Sequence, residues 1–354
     1  MLIEVKQLKS SSVERLNVAW AQLYRFDVSV LPEGEQLNLN KVAEATSLAG
    51  RVATVTKLNE KVLRTRSQIA GIETSDLYNH SPAVLDCTEL KQLAEVSLSL
   101  YQQLFKLYVQ YAASSDPLLL PMALTRGAGT CSIPDIAQFA EVLEPALLKF
   151  QAFHQHSRDW RAIGFLTTQL NFCNQWLLRA LTTSEQCVLA PYLQFAEENV
   201  AHPWLRVCAA GANYQPNSPV PMLVERMIPL ADTIAQDVYQ QLAAAMPTHV
   251  SRRGMLKHPG VQHSCVRDLK MFQAYLWLCV MEQDMTAIES ELVRLCLMVF
   301  PSIGVKWELI NCCINLLISE VSQHLTPQEL SLISPYLAGM QQAFVDLYYP
   351  EAKF

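Results

Sequence analysis

Apolar residues recur three and four positions apart along almost the whole chain, and this spacing limits the fold more than any other feature of the sequence. Such spacing gives a helix one apolar face that must be buried. The pattern predicts helices at 13–26, 42–72, 90–113, 133–154, 160–181, 185–200, 222–246, 268–282, 288–299 and 308–321. The alternation typical of a strand occurs only at 2–5. We therefore expect an all-α protein.

Two helix starts carry the sequence of a capping box, in which a hydroxyl and a carboxylate three residues later satisfy backbone N–H groups. They are Thr182 with Glu185 and Thr326 with Glu329. Pro229 falls in the first two turns of the predicted helix 222–246, where a proline is tolerated better than in a helix interior.

The helical pattern fails over 114–133, where proline and glycine cluster. We therefore predict two units, a helical bundle domain of unknown role at 1–125 and a second domain at 133–354.

The composition excludes several classes of protein. Of the 354 residues, 51% are hydrophobic, which is enough for a sizeable core. A net charge of −6 and the lack of a basic cluster give no reason to expect nucleic-acid binding. The longest strongly apolar run, at 271–281, is too short to cross a bilayer, and residues 1–6 do not read as a signal peptide. We expect a soluble cytoplasmic protein without a transmembrane segment.

Metal-binding and catalytic patterns are weak. The ten cysteines form no C-x-x-C pair, so neither a disulfide framework nor a zinc site is indicated. His154 and His156, near Asp159, lie two positions apart, and their side chains would diverge by about 200° on a helix. The phosphate-loop, dinucleotide and nucleophile-elbow motifs are absent. We predict no metal site and no enzyme, and we interpret Glu197 with Glu198 as an exposed pair.

The segment Ser264-Cys265-Val266-Arg267-Asp268 places three kinds of chemistry at the predicted start of an apolar helix. A thiol can hold an unsaturated ligand through a thioether, and a helix start favours the thiolate. An arginine pairs with a carboxylate, and an aspartate accepts hydrogen bonds from ring N–H groups. These groups suit a linear tetrapyrrole. The alternative is a solvated helix start with Cys265 as a small hydrophobic residue.

Over roughly residues 160–354, the order and spacing of several segments resemble the phycobiliproteins, the bilin-carrying antenna subunits of cyanobacteria and red algae. The N-terminal part resembles no family. The segments that carry the resemblance are Leu181-Thr182-Thr183-Ser184-Glu185, residues 227–247, Cys265-Val266-Arg267-Asp268, residues 300–321 and Leu325-Thr326-Pro327-Gln328-Glu329.

The resemblance implies a globin-like domain, preceded by the small helical bundle, and a set of bilin-binding residues. Cys265 matches the attachment cysteine, Arg267 the arginine that pairs with a propionate, and Asp268 the aspartate at the central pyrrole nitrogens. Phe272 and Trp307 would border the pigment. The implied cofactor is phycocyanobilin or a related linear tetrapyrrole.

Several positions depart from the family pattern. Met271 and Phe272 replace a pair of tyrosines, Ala274 replaces an arginine, and the turn that follows the helix is reduced. The connection 202–221 is also longer than usual. These departures affect the surfaces through which such subunits assemble, and they suggest a specialised relative instead of a bulk antenna subunit.

The resemblance therefore implies two functions. The first is a divergent phycobiliprotein-like protein with a covalent bilin, in light harvesting, energy transfer or photosynthetic regulation. The second is a chromophore-free scaffold or assembly factor. Haem binding is disfavoured, because no histidine lies at the centre of an apolar helix in the second half. The implied partners are phycobilisome or photosystem proteins or further copies of the chain, on the cytoplasmic face of the thylakoid membrane.

Overall fold

The computed structural model describes residues 10–25, 39–78, 87–111, 133–155 and 161–348. The α-helices in these ranges are α1 (Ser11–Ala21), α2 (Leu39–Thr46), α3 (Leu48–Lys57), α4 (Glu60–Tyr78), α5 (Cys87–Gln110), α6 (Ile136–Gln155), α7 (Arg161–Leu178), α8 (Thr183–Glu198), α9 (Trp204–Ala210), α10 (Pro219–Met227), α11 (Ala231–Ala245), α12 (Pro259–Glu282), α13 (Val293–Ser302), α14 (Trp307–Gln323) and α15 (Pro327–Tyr348). The predicted all-α class is confirmed. The strand predicted at 2–5 lies outside the described residues.

The predicted helix at 42–72 is wrong in its continuity, because three helices occupy this stretch. Ser47 ends α2 and caps α3, with its hydroxyl accepting a hydrogen bond from the Gly50 N–H at 3.0 Å. The Asn59 side chain likewise accepts from the Val62 N–H at 3.2 Å at the start of α4. Short polar side chains that satisfy free N–H groups begin a new helix wherever the chain turns.

Helix α12 begins nine residues earlier than the periodicity predicts. His258 caps it by accepting a hydrogen bond from the Gly260 N–H, and Pro259 occupies the first helical position. Cys265 therefore lies in the second turn, beyond the first few free N–H groups that would favour a thiolate. The prediction that Cys265 lies at a helix start is therefore wrong.

A short β-hairpin with two residues in each strand precedes α12. The sequence pattern does not predict it. Strand β1 (Val250–Ser251) pairs antiparallel with β2 (Gly254–Met255), and Ser251 lies opposite Gly254. Gly254 has a φ of 120°, which residues with a Cβ rarely adopt. The turn fixes the direction of Arg253, which points back toward α12.

The buried apolar residues form one connected core that extends from Leu16 to Phe344. Helix α4 packs against α5 and α7, and α1 packs against α9 and α10. Helices on both sides of the predicted boundary thus share this core. The boundary at 114–133 falls almost wholly outside the described residues, so the division into two domains stays a prediction. Among the described helices, none combines the length and hydropathy needed to cross a bilayer.

Helices α7 and α13 meet closely at Gly164. A Cβ on Gly164 would lie 2.9 Å from Cγ2 of Val299 and 3.2 Å from its Cγ1. Valine on a helix has one strongly preferred rotamer, so the methyl groups cannot easily move away. This contact matters for the site, because α7 and α13 form two of its walls.

We expect Gly164→Ala to lower the free energy of unfolding by about 1–2 kcal/mol, because overpacking outweighs the gain in helix propensity. Urea unfolding followed by circular dichroism measures this change. In a protein that also carries Val299→Ala, Gly164→Ala should lower the free energy of unfolding much less than it does in the parent.

Gly71→Ala on α4 is the matched control. Its Cβ would meet only the Gln169 side-chain oxygen, at 3.7 Å, so the free energy of unfolding should rise by about 0.5–1 kcal/mol. Equal effects of the two alanines would show that the close contact at Gly164 has no energetic weight.

Candidate functional site

A cavity of about 110 Å³ lies beside α12, and the side chains of Cys265, Arg267, Asp268 and Phe272 line it. Its remaining lining is mostly apolar and comes from α13, α14 and the hairpin, and from α4 and α7. Tyr78, the last residue of α4, lines the cavity with Thr168 of α7. The upstream helices therefore supply one wall.

The structure brings four of the five predicted site residues together and places Trp307 elsewhere. Trp307 does not line this cavity; its indole N–H donates to the Phe344 carbonyl at 3.2 Å. The Trp307 ring stacks on the Phe344 ring with centroids 6.1 Å apart. Phe272 is buried and packs against the same Phe344, at 5.7 Å between centroids. Phe344 thus lies between Trp307 and the cavity-lining Phe272.

The guanidinium of Arg267 is held by two carboxylates. It donates to Asp268 Oδ1 from Nε at 3.1 Å and from Nη2 at 2.8 Å. Its Nη1 donates to Glu197 Oε1 at 3.2 Å. The Arg267 side chain is 11% exposed and that of Glu197 is 2% exposed, so this ion pair lies inside the protein.

The prediction that Glu197 and Glu198 form an exposed pair is wrong. Both are buried at the end of α8, between α7 and α12. Glu198 pairs with Lys270 and accepts a hydrogen bond from the Tyr24 hydroxyl at 2.9 Å. No local pattern predicts this arrangement, because the cationic partners of Glu197 and Glu198 lie about 70 residues away along the chain.

Glu197 is the most strongly bound carboxylate of the site. Besides Arg267, it contacts His263 Nε2 at 2.8 Å and accepts from the amides of Asn171 and Asn174. Burial alone would raise the pKa of Glu197, but the charge and hydrogen bond of His263, the charge of Arg267 and the hydrogen bond of Asn171 lower it to about 2. Glu197 therefore remains ionised through any physiological pH.

The Cys265 thiol is protonated, contrary to the thiolate expected from a helix start. Burial raises the pKa of Cys265 to about 12, the negative charge of Asp268 adds to the rise, and Arg267 opposes it. Cys296 and Cys313 line the same cavity from α13 and α14. The cavity thus offers three thiols, of which only Cys265 lies beside Arg267 and Asp268 on α12.

Arg253 is a site residue that the sequence reasoning passed over. It lines the cavity from the hairpin, with Nη1 donating to Ser264 Oγ at 2.7 Å and Nη2 to Asn171 Oδ1 at 3.1 Å. The adjacent arginines 252 and 253 are visible in the sequence, but only the hairpin turn determines which one faces inward. In the wall formed by α4 and α7, the Tyr78 hydroxyl lies 3.2 Å from Thr168 Oγ1.

Within the described ranges, no three His, Cys, Asp or Glu side chains come together as metal ligands. The side chains of His154, His156 and Asp159 lie outside the described residues.

We expect Glu197→Gln to lower the free energy of unfolding at pH 7 by about 3 kcal/mol, because the ion pair with Arg267 is lost. The pKa of Glu197 is lowered in the fold, so its stabilisation is present above about pH 4.3 and disappears as pH falls toward 2. Urea unfolding at pH 7, 4 and 3 measures the free energy of unfolding of the parent and of Glu197→Gln. The difference between them should become smaller as the pH falls.

The exposed Glu289→Gln, with the same change of charge, is the control for this series. A difference in free energy of unfolding between the parent and Glu197→Gln that stays constant from pH 7 to pH 3 would contradict the lowered pKa of Glu197.

We expect iodoacetamide to alkylate Cys265 in the native protein at pH 8 at least about 100-fold more slowly than in the chain unfolded in urea. The raised pKa leaves little thiolate at this pH, whereas an unfolded cysteine has a pKa of about 8.5. Peptide mapping by mass spectrometry gives the rate at Cys265. The native rate should still be rising with pH above pH 10, and a plateau near pH 9 would contradict the raised pKa.

Residues 222–344 match the family model described as phycobilisome protein. No curated protein and no solved structure matches the chain. The matched segment contains Cys265, Arg267, Asp268, Phe272 and Trp307, whereas Tyr78 and Glu197 lie upstream of it. The predicted resemblance is confirmed there, and the family's globin-like, all-α domain agrees with the described helices. Residues 222–344 are thus similar to a phycobilisome protein domain, as a divergent phycobiliprotein segment would be.

Proposed function

We propose that this chain binds a linear tetrapyrrole, phycocyanobilin or a related bilin, in the cavity beside α12. The observation that carries the proposal is the position of Cys265, Arg267 and Asp268 around one apolar cavity within the phycobilisome segment. The proposed role is phycobiliprotein-like, in light harvesting, energy transfer or photosynthetic regulation, and it is not enzymatic.

The donor groups fit the chemistry of a bilin. The Asp268 carboxylate keeps acceptor capacity beyond its bonds to Arg267 and can receive ring N–H groups. Phe272 and the apolar walls suit conjugated rings. The cavity of 110 Å³ has room for about one ring, since an engineered apolar cavity of about 150 Å³ accepts benzene. The rest of the bilin would have to displace lining side chains or extend outward.

Covalent attachment would use the Cys265 sulfur. The sulfur adds to one carbon of a carbon–carbon double bond, and the thiol hydrogen goes to the neighbouring carbon, so the addition needs no oxidant or reductant. Because burial raises the pKa of the Cys265 thiol to about 12, little thiolate is present at neutral pH. We therefore propose that attachment requires a lyase or a base that removes the thiol proton.

A chromophore-free scaffold or assembly factor is the second candidate function. The double pairing of Arg267 with Glu197 and Asp268 favours it, because this arginine is neutralised without any ligand. The scaffold function is also favoured because α4 and α7 cover the cavity. In this function, the proposed partners are phycobilisome or photosystem proteins at the cytoplasmic face of the thylakoid membrane, and Arg267 would be retained for stability.

Co-expression with phycocyanobilin biosynthesis, with and without a bilin lyase, separates the two functions. We expect a band with zinc-enhanced bilin fluorescence on a denaturing gel, and its loss in Cys265→Ala. The matched controls are Cys296→Ala and Cys313→Ala, which remove the other two thiols of the cavity and should leave the band.

Each outcome assigns a function. A dark parent protein with a lyase present, together with no bilin absorption in the native purified protein, would contradict bilin binding and favour the scaffold. A band that persists in Cys265→Ala and disappears in Cys296→Ala or Cys313→Ala would place the attachment on another wall of the cavity.

A further inference from the structure

Arg253 lines the cavity, and among the described residues its guanidinium is held by neutral groups. Ser264 Oγ accepts from it at 2.7 Å and Asn171 Oδ1 at 3.1 Å. Its Cζ lies 4.8 Å from the centroid of the Phe172 ring, which supports one face of the guanidinium. These contacts fix the orientation of Arg253 without a partner of opposite charge.

Arg267, by contrast, is already paired with two carboxylates. Asp268 and Glu197 both bind it, and Glu197 is itself buried. To receive a ligand carboxylate, Arg267 would have to give up its bonds to Asp268 or Glu197, and the second of these is an ion pair inside the protein. Arg253 has no such carboxylate to release, because it forms no ion pair within the described ranges.

The electrostatic surroundings of Arg253 also favour an anion. Burial lowers the pKa of Arg253, the positive charge of Arg267 lowers it further, and Glu197 and Asp268 offset these effects only in part. An incoming carboxylate would screen the repulsion between the two arginines. It could also form two parallel hydrogen bonds with a planar guanidinium.

We propose that Arg253, and not Arg267, receives a carboxylate of the ligand in this cavity. The inference rests on the proposed bilin function, because a linear tetrapyrrole carries propionate side chains. It transfers the anion-binding role from the Cys265–Asp268 segment to the hairpin, and it leaves Arg267 as the residue that holds α12 to α8. Asn171 and Ser264 become positioning residues for Arg253.

The test compares phycocyanobilin as the free acid with its dimethyl ester, which lacks the carboxylates. Cys265→Ala protein serves as the parent, so that only non-covalent binding is measured, by quenching of tryptophan fluorescence and by the visible absorption of the bilin. We expect the parent to bind the free acid at least about tenfold more tightly than the ester.

Adding Arg253→Gln should weaken binding of the free acid about tenfold and leave binding of the ester unchanged. Retained binding of the ester shows that the cavity is intact. Arg252→Gln is the matched control, since Arg252 is the exposed neighbour in the same turn and does not line the cavity. It should bind both compounds like the parent. Arg253→Lys, which keeps the charge without the planar fork, should recover part of the affinity.

Two results would overturn the role of Arg253 and leave the bilin function intact. One is equal affinity of the parent for acid and ester, which would mean that no carboxylate is recognised. The other is a preference for the acid that persists in Arg253→Gln, which would place the carboxylate on another residue. Failure of the parent to bind either compound would overturn the bilin function together with the inference.

Discussion

The buried ion pairs between the end of α8 and α12 are the interaction on which the rest of the structure depends. Glu197 with Arg267 and His263, and Glu198 with Lys270, join these two helices. Apolar packing alone tolerates small shifts in the register of two helices, whereas a buried charge that loses its partner is strongly destabilising. These pairs therefore fix the position of α12, and with it the direction in which Cys265 and Asp268 face.

This arrangement changes how the Cys265–Asp268 segment is interpreted. A short motif of thiol, arginine and aspartate suggests a ligand site because each group has a plausible ligand contact. In the fold, Arg267 satisfies the buried Glu197, so its presence has a sufficient structural reason without any pigment. A bilin would then engage two groups that form no ion pair within the described ranges, the Cys265 thiol and the guanidinium of Arg253.

The sequence predicted most helices, because helices depend on periodicity within one segment, and the family resemblance indicated the α12 residues that line the cavity. It failed where the outcome depends on contacts between distant segments. Glu197 and Glu198 looked exposed because a pair of carboxylates usually is. Their burial is tolerated because Arg267 and His263 pair with Glu197 and Lys270 pairs with Glu198. Arg253 could not be separated from Arg252 because a turn with Gly254 at positive φ decides which one points inward.

The walls of the cavity couple the family-related segment to helices outside it. Tyr78 and Thr168 lie upstream of residues 222–344, yet they close the space beside Cys265. Since the cavity has room for about one ring, a larger ligand that does not extend outward must change the packing of α4 or α7 against α12 and α13. Ligand binding and this packing would then be thermodynamically linked, and each would alter the free energy of the other. Such linkage would let the upstream helices respond to the occupancy of the cavity, which neither a lone globin-like domain nor an independent N-terminal bundle could do.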